Sequence, residues 1–360
     1  MAKGESGDRK VTIHDIARQA GVSVATVSRV INQQPGVGAE TRARLEKLFA
    51  ELGYSVNVQA QQLSTGRSKL IGVVFPVEIS RIVLHPVYLP LLGAVGDAAA
   101  ERGHAVLLAT SSGHLDQTID VLHRHGVDGV ILPAAGPDDP LLGALADLKA
   151  HTVLIGHRSD EPQLRWVDSD HDVAAYRLTR HLIENGRRRL VHLGGPGDVS
   201  AAVLRAKGFV QAIEEAGAAV SFASVEQISF NSALAAARAR SILTDPAGPP
   251  DAIVCGSDLI ASGVLLAARE LGISVPGALA VTGFDDLELA AHTSPPLTSV
   301  RMPLKQLGTA AVSMLLDYPN GASPRSVLFD TEILYRESTE ASSRTPLRAG
   351  ASSKTSGGNK

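Results

Sequence analysis

From Lys69 to about residue 340 one pattern repeats: a short apolar run rich in β-formers, then a helical stretch, then another apolar run. This alternation constrains the fold more than any other feature. An apolar strand followed by a helix buries both only in βαβ units, which gather into parallel sheets covered by helices. The runs that read as strands are Leu70–Phe75, Ala105–Ala109, Val127–Leu132, Thr152–Ile155, Leu190–Leu193, Ala252–Cys255 and Leu279–Thr282. Glycine ends the intervening helices in Glu101-Arg102-Gly103, Glu184-Asn185-Gly186 and Glu215-Ala216-Gly217, where a left-handed C-terminal stop is needed. Two such sheets imply two lobes, with a ligand cleft between them at the C-terminal ends of the strands.

At 360 residues and 44% hydrophobic content, two or three compact units are expected. No apolar run approaches the roughly 20 residues of a membrane span. The opening Met1–Lys10 is polar and reads as a flexible arm, so a cytoplasmic, nucleoid-associated protein without membrane contact is expected. The single cysteine, Cys255, excludes an internal disulfide framework and leaves no thiolate set for zinc. The formal net charge of -3 conceals an asymmetry: residues 1–70 hold 10 Lys and Arg against 6 Asp and Glu, and the remainder 24 against 31. A head of +4 on a body of -7 suits one segment that approaches phosphates while the rest stays soluble. Residues 341–360 are nearly devoid of apolar side chains and read as a disordered tail.

Ahead of the alternating region, Val11–Leu52 carries apolar positions at helical spacing, broken by Gly21 and by Gln33–Gly38. Three short helices fit. Thr12 can cap the first, with Ile13, Ile16, Ala17 and Ala20; Ser23 can cap the second, with Val24, Val27, Val30 and Ile31. A third runs from about Ala39 to Leu52 with Leu45, Leu48 and Leu52 inward. In a helix-turn-helix the second helix enters the major groove, so its outer face needs small or hydrogen-bonding side chains. Val24, Ala25, Ser28 and Arg29 would lie near base edges, with Ser23, Thr26 and Asn32 near phosphates and Arg29 able to contact guanine bidentately. A generic three-helix bundle is the bland alternative.

The run Val11 to Asn32, VTIHDIARQAGVSVATVSRVIN, resembles the head of LacI/GalR-family repressors almost position for position. The likeness continues through Thr41-Arg42 and Leu52-Gly53-Tyr54; it implies that Thr12, Thr41, Arg42 and Tyr54 bind DNA, with Arg42 and Tyr54 meeting the backbone. Asn57 to Thr65 is similar to the family's hinge helix, which folds on operator DNA. By that resemblance Asn57 sits near phosphate, and Leu63, beside Ala60, wedges between base steps in the minor groove. Val56 stands where the family usually has proline, which leaves the chain freer before Asn57.

The body resembles the family's two-lobed, periplasmic-binding-protein-like core in Gly126-Val127-Asp128-Gly129-Val130-Ile131-Leu132, Arg205-Ala206-Lys207-Gly208-Phe209, Gly283-Phe284-Asp285-Asp286 and Pro295-Pro296-Leu297-Thr298-Ser299-Val300. The implied layout is a multidomain chain: an arm over 1–10, an all-α head over 11–56, a hinge over 57–68, an α/β effector-binding and dimerisation domain over 69–340, and a tail over 341–360. The chain should cross between lobes near Ser169, Leu297 and Ser323, giving a first lobe of 69–169 with 298–323 and a second of 170–297 with 324–340.

By motif match Arg205 and Asp285 are effector contacts and Phe230 the aromatic that covers a ligand ring. Facing across the cleft, a cation and a carboxylate can bind adjacent hydroxyls; alternatively the two only pair with each other. Tyr88 resembles the family's aromatic element on the first lobe. Ser257-Asp258 and Asp170-His171 replace the family's Asn-Asp and Asp-Asn. Asp258 either binds ligand or caps the following helix, and His171 is either a cap neighbour or a ligand contact.

His123-Arg124-His125 is no metal site, because alternate helical residues diverge. Gly194-Gly195-Pro196-Gly197-Asp198 lacks phosphate-loop spacing, and Arg187-Arg188-Arg189 reads as a surface turn. No cofactor, no metal and no catalytic set are expected. A transport protein would lack the head, and an enzyme would show a matched acid and base. The expectation is a homodimeric repressor that binds a palindromic operator on double-stranded DNA and answers to a small-molecule effector, a carbohydrate ahead of a nucleoside. No leucine heptad follows Tyr335, which favours a dimer over a tetramer.

Overall fold

The computed structural model describes residues 11–32, 34–52, 54, 68–78, 80, 82, 85–133, 135–136, 139–147, 151–156, 158, 164–317 and 325–339. By contact density the chain divides into two compact units, Met1–Ser68 and Lys69–Lys360.

Among the described residues the first unit holds three helices, α1 (Ile13–Ala20), α2 (Val24–Ile31) and α3 (Ala39–Glu51). Thr12 and Asp15 form a reciprocal capping box: the Thr12 hydroxyl accepts from the Asp15 N–H, and the Asp15 carboxylate accepts from Thr12 N at 3.1 Å. Two donors that α1 would otherwise leave bare are thereby satisfied. Gly21 then takes φ 66, a left-handed turn that glycine enters without strain, and Ser23 caps α2 through the Thr26 N–H. Ile16, Ala17, Val27, Val30 and Leu45 are buried together, with Leu48 and Leu52 half-buried beside them. A bundle this small has few such side chains, so each carries a large share of its stability.

Among the described residues the second unit contains two six-stranded sheets. The first sheet has the order β11-β5-β4-β3-β1-β2, from strands β1 (Leu70–Phe75), β2 (Ala105–Thr110), β3 (Gly129–Pro133), β4 (Thr152–Ile155), β5 (Arg165–Ser169) and β11 (Ser326–Phe329). It is parallel throughout. The second has the order β12-β10-β9-β8-β6-β7, from β6 (Arg189–Gly194), β7 (Phe222–Gln227), β8 (Ala252–Cys255), β9 (Ala280–Asp285), β10 (Thr298–Arg301) and β12 (Glu332–Leu334). Only β12 runs antiparallel to its neighbour. Helices bury apolar side chains on both faces of each sheet, which is why β3, β4 and β8 are buried along their whole length.

Two of the three crossings between lobes fall later than the sequence suggests. β10 pairs with β9, so Thr298–Arg301 belongs to the second lobe and not the first. The chain leaves that lobe after Arg301, and the helix Leu304–Leu316 packs Leu307, Ala311, Val312 and Leu315 on the first sheet. Likewise β11 pairs with β5, so Ser326–Phe329 belongs to the first lobe, and the return lies between Phe329 and Glu332 rather than near Ser323. The Asp170 amide donates to Phe329 O at 3.1 Å and its carboxylate accepts from Thr331 N at 2.9 Å, which ties the first and third crossings together. Among the described residues no helix is long and apolar enough to cross a membrane.

Candidate functional site

α2 presents one face outward. Val27 and Val30 are buried, whereas Ala25 and Arg29 are exposed and Val24, Ser28 and Asn32 half-buried along the opposite side. The Arg29 carbonyl accepts from Gln34 N at 2.8 Å, while among the described residues its side chain makes no hydrogen bond or ion pair, so its guanidinium is available to an external acceptor. The Ser23 and Thr26 hydroxyls lie 2.9 Å apart at the start of the helix, and the Asn32 amide donates to Ser28 Oγ at 3.3 Å. Arg42 is committed in part: it donates to Gln34 O at 2.9 Å and so braces the loop between α2 and α3. Thr41 is half-buried one residue before it, and Thr12 stays exposed despite its capping role. Tyr54 lies 5.6 Å from the Phe49 ring and joins the head's core, and burial raises its hydroxyl above the ordinary value. Asn57, Ala60 and Leu63 lie outside the described residues.

In the body, the polar residues singled out from the sequence gather at the C-terminal ends of the second sheet. Arg205 projects from the helix Ser200–Ala216 and is 5% exposed. It donates from Nη2 to Asp285 Oδ1 at 3.3 Å, from Nε to His171 Nδ1 at 3.4 Å and from Nη1 to Gly256 O, and its guanidinium lies 3.7 Å from the centre of the Phe284 ring. Arg205 and Asp285 therefore do not face each other across the cleft: both belong to the second lobe and stand side by side. Asp285 ends β9 with φ 108 and Asp286 follows at φ 50. Two successive non-glycine residues in this region hold strain of about 1–3 kcal/mol each, sustained because Asp286 is anchored by Arg301 at 2.8 Å and Arg336 at 2.6 Å. Burial pushes the Asp285 carboxyl up to about 6, against the pull of Arg205.

Ser257 and Asp258 take structural positions. Ser257 is the helix cap, accepting from Ile260 N, so the capping role weighed for Asp258 falls to its neighbour. Asp258 is fully buried, with Oδ1 accepting from Ser299 Oγ at 2.6 Å and Oδ2 from Leu287 N at 2.7 Å. It holds β10 and the segment after β9 in place rather than opening onto the cleft. Burial, with the charge of Asp285, pushes its carboxyl up to about 8. Gly283 makes this possible, since a Cβ there would overlap Asp258 Oδ1. His171 is likewise 1% exposed and starts its helix, which makes it a buried partner of Arg205 rather than a rim residue.

The apolar wall comes from both lobes. Phe230 sets the Cζ end of its ring against Gly195, where any Cβ would overlap it. Tyr88 stands 5.0 Å from Phe75 and stacks on His85 at 4.6 Å, and His85 in turn meets Phe230 edge-on at 5.2 Å. His85 was not legible as a site residue, because no motif marks it. Burial and the nearby Arg205 hold its ring down to about 4, so it is neutral at pH 7, and its Nδ1 is buried without a hydrogen-bond partner among the described residues. Gly256 approaches the backbone of Gly194 and Gly195 closely, so the ends of β6 and β8 meet beneath these rings. That is the switch point of the second sheet, where an open α/β sheet offers its ligand crevice.

Residues 12–57 match the model for bacterial regulatory proteins of the lacI family, and residues 179–339 match a periplasmic binding protein-like domain. The HTH-type transcriptional regulator CelR of Thermobifida fusca is 33% identical over 338 residues, 92% of this chain and 98% of that one. This chain belongs to the LacI family. The HTH-type transcriptional repressor CytR of Escherichia coli K12 is 30% identical over 94% of this chain and 99% of its own. Among solved structures, a lac repressor dimer bound to operator and the anti-inducer ONPF aligns with a TM-score of 0.81 at 26% identity, covering 92% of this chain and 100% of that one. A CelR–cellobiose complex aligns at 0.70 and 31% identity, covering 91% and 100%. The protein is thus a LacI-family DNA-binding transcriptional regulator and not an enzyme.

Two features set aside from the sequence also take shape in this LacI-family body. Arg187, Arg188 and Arg189 staple loops from within: Arg187 donates to Pro276 O, Arg188 to Ile183 O at 2.8 Å and Arg189 to Gly248 O at 2.6 Å. Among the described residues no cluster of three metal-ligating side chains occurs.

Proposed function

We propose that this LacI-family regulator is a homodimeric repressor that reads a palindromic operator through α2 and loosens its grip when a small polar effector, a sugar, enters the cleft of the body. Ser23, Val24, Ala25, Thr26, Ser28, Arg29 and Asn32 read or flank the major groove, with Thr12, Thr41, Arg42 and Tyr54 on the backbone. By resemblance to the family, Leu63 is the minor-groove wedge with Ala60 beside it, and Asn57 meets a phosphate. Two heads on a two-fold dimer double the readout that one small bundle provides.

The observation that carries the effector reading is the buried Arg205–Asp285 pair beside Phe230 at the strand ends. A cation and a carboxylate side by side offer a fixed donor and acceptor to vicinal hydroxyls, and the flat Phe230 face suits the apolar side of a pyranose. Tyr88 and the neutral His85 close the cleft from the first lobe. His171, Ser257 and Asp258 shape the floor from behind. The relative solved with cellobiose supports a sugar, and the lac repressor dimer solved on operator supports dimeric binding.

Thermal denaturation of the full chain against a panel of mono- and disaccharides and nucleosides tests the effector class. A cognate sugar at 100 times its Kd stabilises by about 2.7 kcal/mol through mass action, and the same sugar should change operator affinity. Stabilisation by nucleosides alone would overturn the sugar assignment.

A further inference from the structure

His171 is buried between two charged partners of opposite sign. Its Nδ1 receives the Arg205 Nε–H at 3.4 Å, and its Nε2 lies 3.2 Å from Asp168 Oδ1. A guanidinium only donates, so Nδ1 must be bare and the ring proton must sit on Nε2, toward the carboxylate. Asp168 is fully buried and shared: its other oxygen accepts from Arg158 Nε at 3.0 Å. Arg158 follows β4 in the first lobe, yet its Nη2 reaches Ser169 O at 2.8 Å and, across the crossing, Asp172 Oδ1 at 3.0 Å in the second lobe. Asp285, Arg205, His171, Asp168, Arg158 and Asp172 thus form an unbroken polar chain from the cleft floor to the first lobe crossing.

We propose that His171 is a positioning residue that orients Arg205 for the effector and ties its placement, through Asp168, to the Arg158 bridge between the lobes. The proposal rests on Arg205 and Asp285 being the effector pair. A shift of Arg205 toward a bound hydroxyl disturbs the acceptor at His171 Nδ1, and a movement of that ring disturbs the carboxylate that Arg158 also holds. An amide side chain here would have a shorter reach and no ring to set beside Phe284, whose centre is 5.6 Å away. The histidine therefore does more than fill space: its Nδ1 faces the Arg205 guanidinium and its Nε2 the Asp168 carboxylate.

The test needs no effector. Nitrogen-15 spectroscopy of the full chain at pH 7, with His171 assigned by its loss in His171→Phe, should show the proton on Nε2 and Nδ1 unprotonated. Hydrogen exchange at the Arg205 and Arg158 Nε–H groups should be slow in the natural chain. In His171→Phe, exchange at Arg205 should accelerate roughly tenfold, the scale of one lost hydrogen bond from a charged donor, and Arg158 should follow. A proton on Nδ1, or unchanged exchange at either arginine, would overturn the proposal. Should the phenylalanine variant not fold, the tautomer decides alone, with the resonance assigned in the full chain by its loss in His171→Asn. Failure of the effector reading shows differently: an Arg205→Lys chain would respond normally to sugar, with the His171 tautomer as stated.

Discussion

Arg29 and Asp285 are the residues on which the two halves of the reading turn, and each gives a separable outcome. Arg29→Ala should weaken operator binding by about 1–3 kcal/mol and relax preference at one base pair, measured by footprinting on operator variants. Unchanged footprints would remove it from base readout. Asp285→Asn should leave operator affinity intact and abolish release by the effector, measured in a reporter strain. Titration adds a third outcome. Asp258, pushed up to about 8 mainly by burial, binds its proton more tightly folded than unfolded, so its contribution to stability is lost as pH rises toward 8. Asp285 contributes the same sign up to about 6, while His85 and His192, both held down to about 4 by burial, contribute the opposite sign below the ordinary histidine value of 6.5. Between pH 6.5 and 8 only Asp258 acts among these four, so the body's Tm should fall across that window, and Asp258→Asn should flatten the fall. The sequence marked Arg205, Asp285 and Phe230 because motifs carry them. It could not mark His85 or Asp168, which earn their places only by what the fold sets beside them.

At the level of elements, the sequence was most readable where burial on every side imposes a pattern. β1, β3, β4 and β8 are almost wholly buried, and their apolar runs are legible. β7 is an edge strand with alternating exposure, and β11 and β12 are short strands at sheet edges, so their mixed polarity hides them. Misplacing the second and third crossings has the same origin: β10 and β11 are short, and only their pairing with β9 and β5 assigns them to a lobe. The caps of α1 and α2 were legible because the Thr12 and Ser23 hydroxyls need only a local partner. Leu45 is the one fully buried side chain α3 gives the head. Leu45→Ala should cost about 2–5 kcal/mol, enough to unfold a bundle of this size, and circular dichroism of the full chain should show the loss as an early, separate transition. Gly195→Ala should displace the Phe230 ring from its seat and weaken effector binding while operator affinity holds, which calorimetry with the cognate sugar measures.

For the whole molecule, function needs two units that do different things: a basic head whose outward helix face carries little beyond Ala25 and Arg29, and an acidic body whose strand ends converge on a buried ion pair. Coupling between such sites is typically 1–3 kcal/mol, a 5- to 150-fold change in affinity, and linkage requires operator DNA to weaken effector binding by the same factor. Fluorescence anisotropy of the purified full chain, titrated into labelled duplexes selected from random sequence and then challenged with sugars, tests this most directly. A two-fold symmetric duplex should be enriched and bound well above random competitor, with affinity shifted by a sugar that also raises the body's Tm. Equal affinity for every duplex, whatever sugar is added, would contradict it.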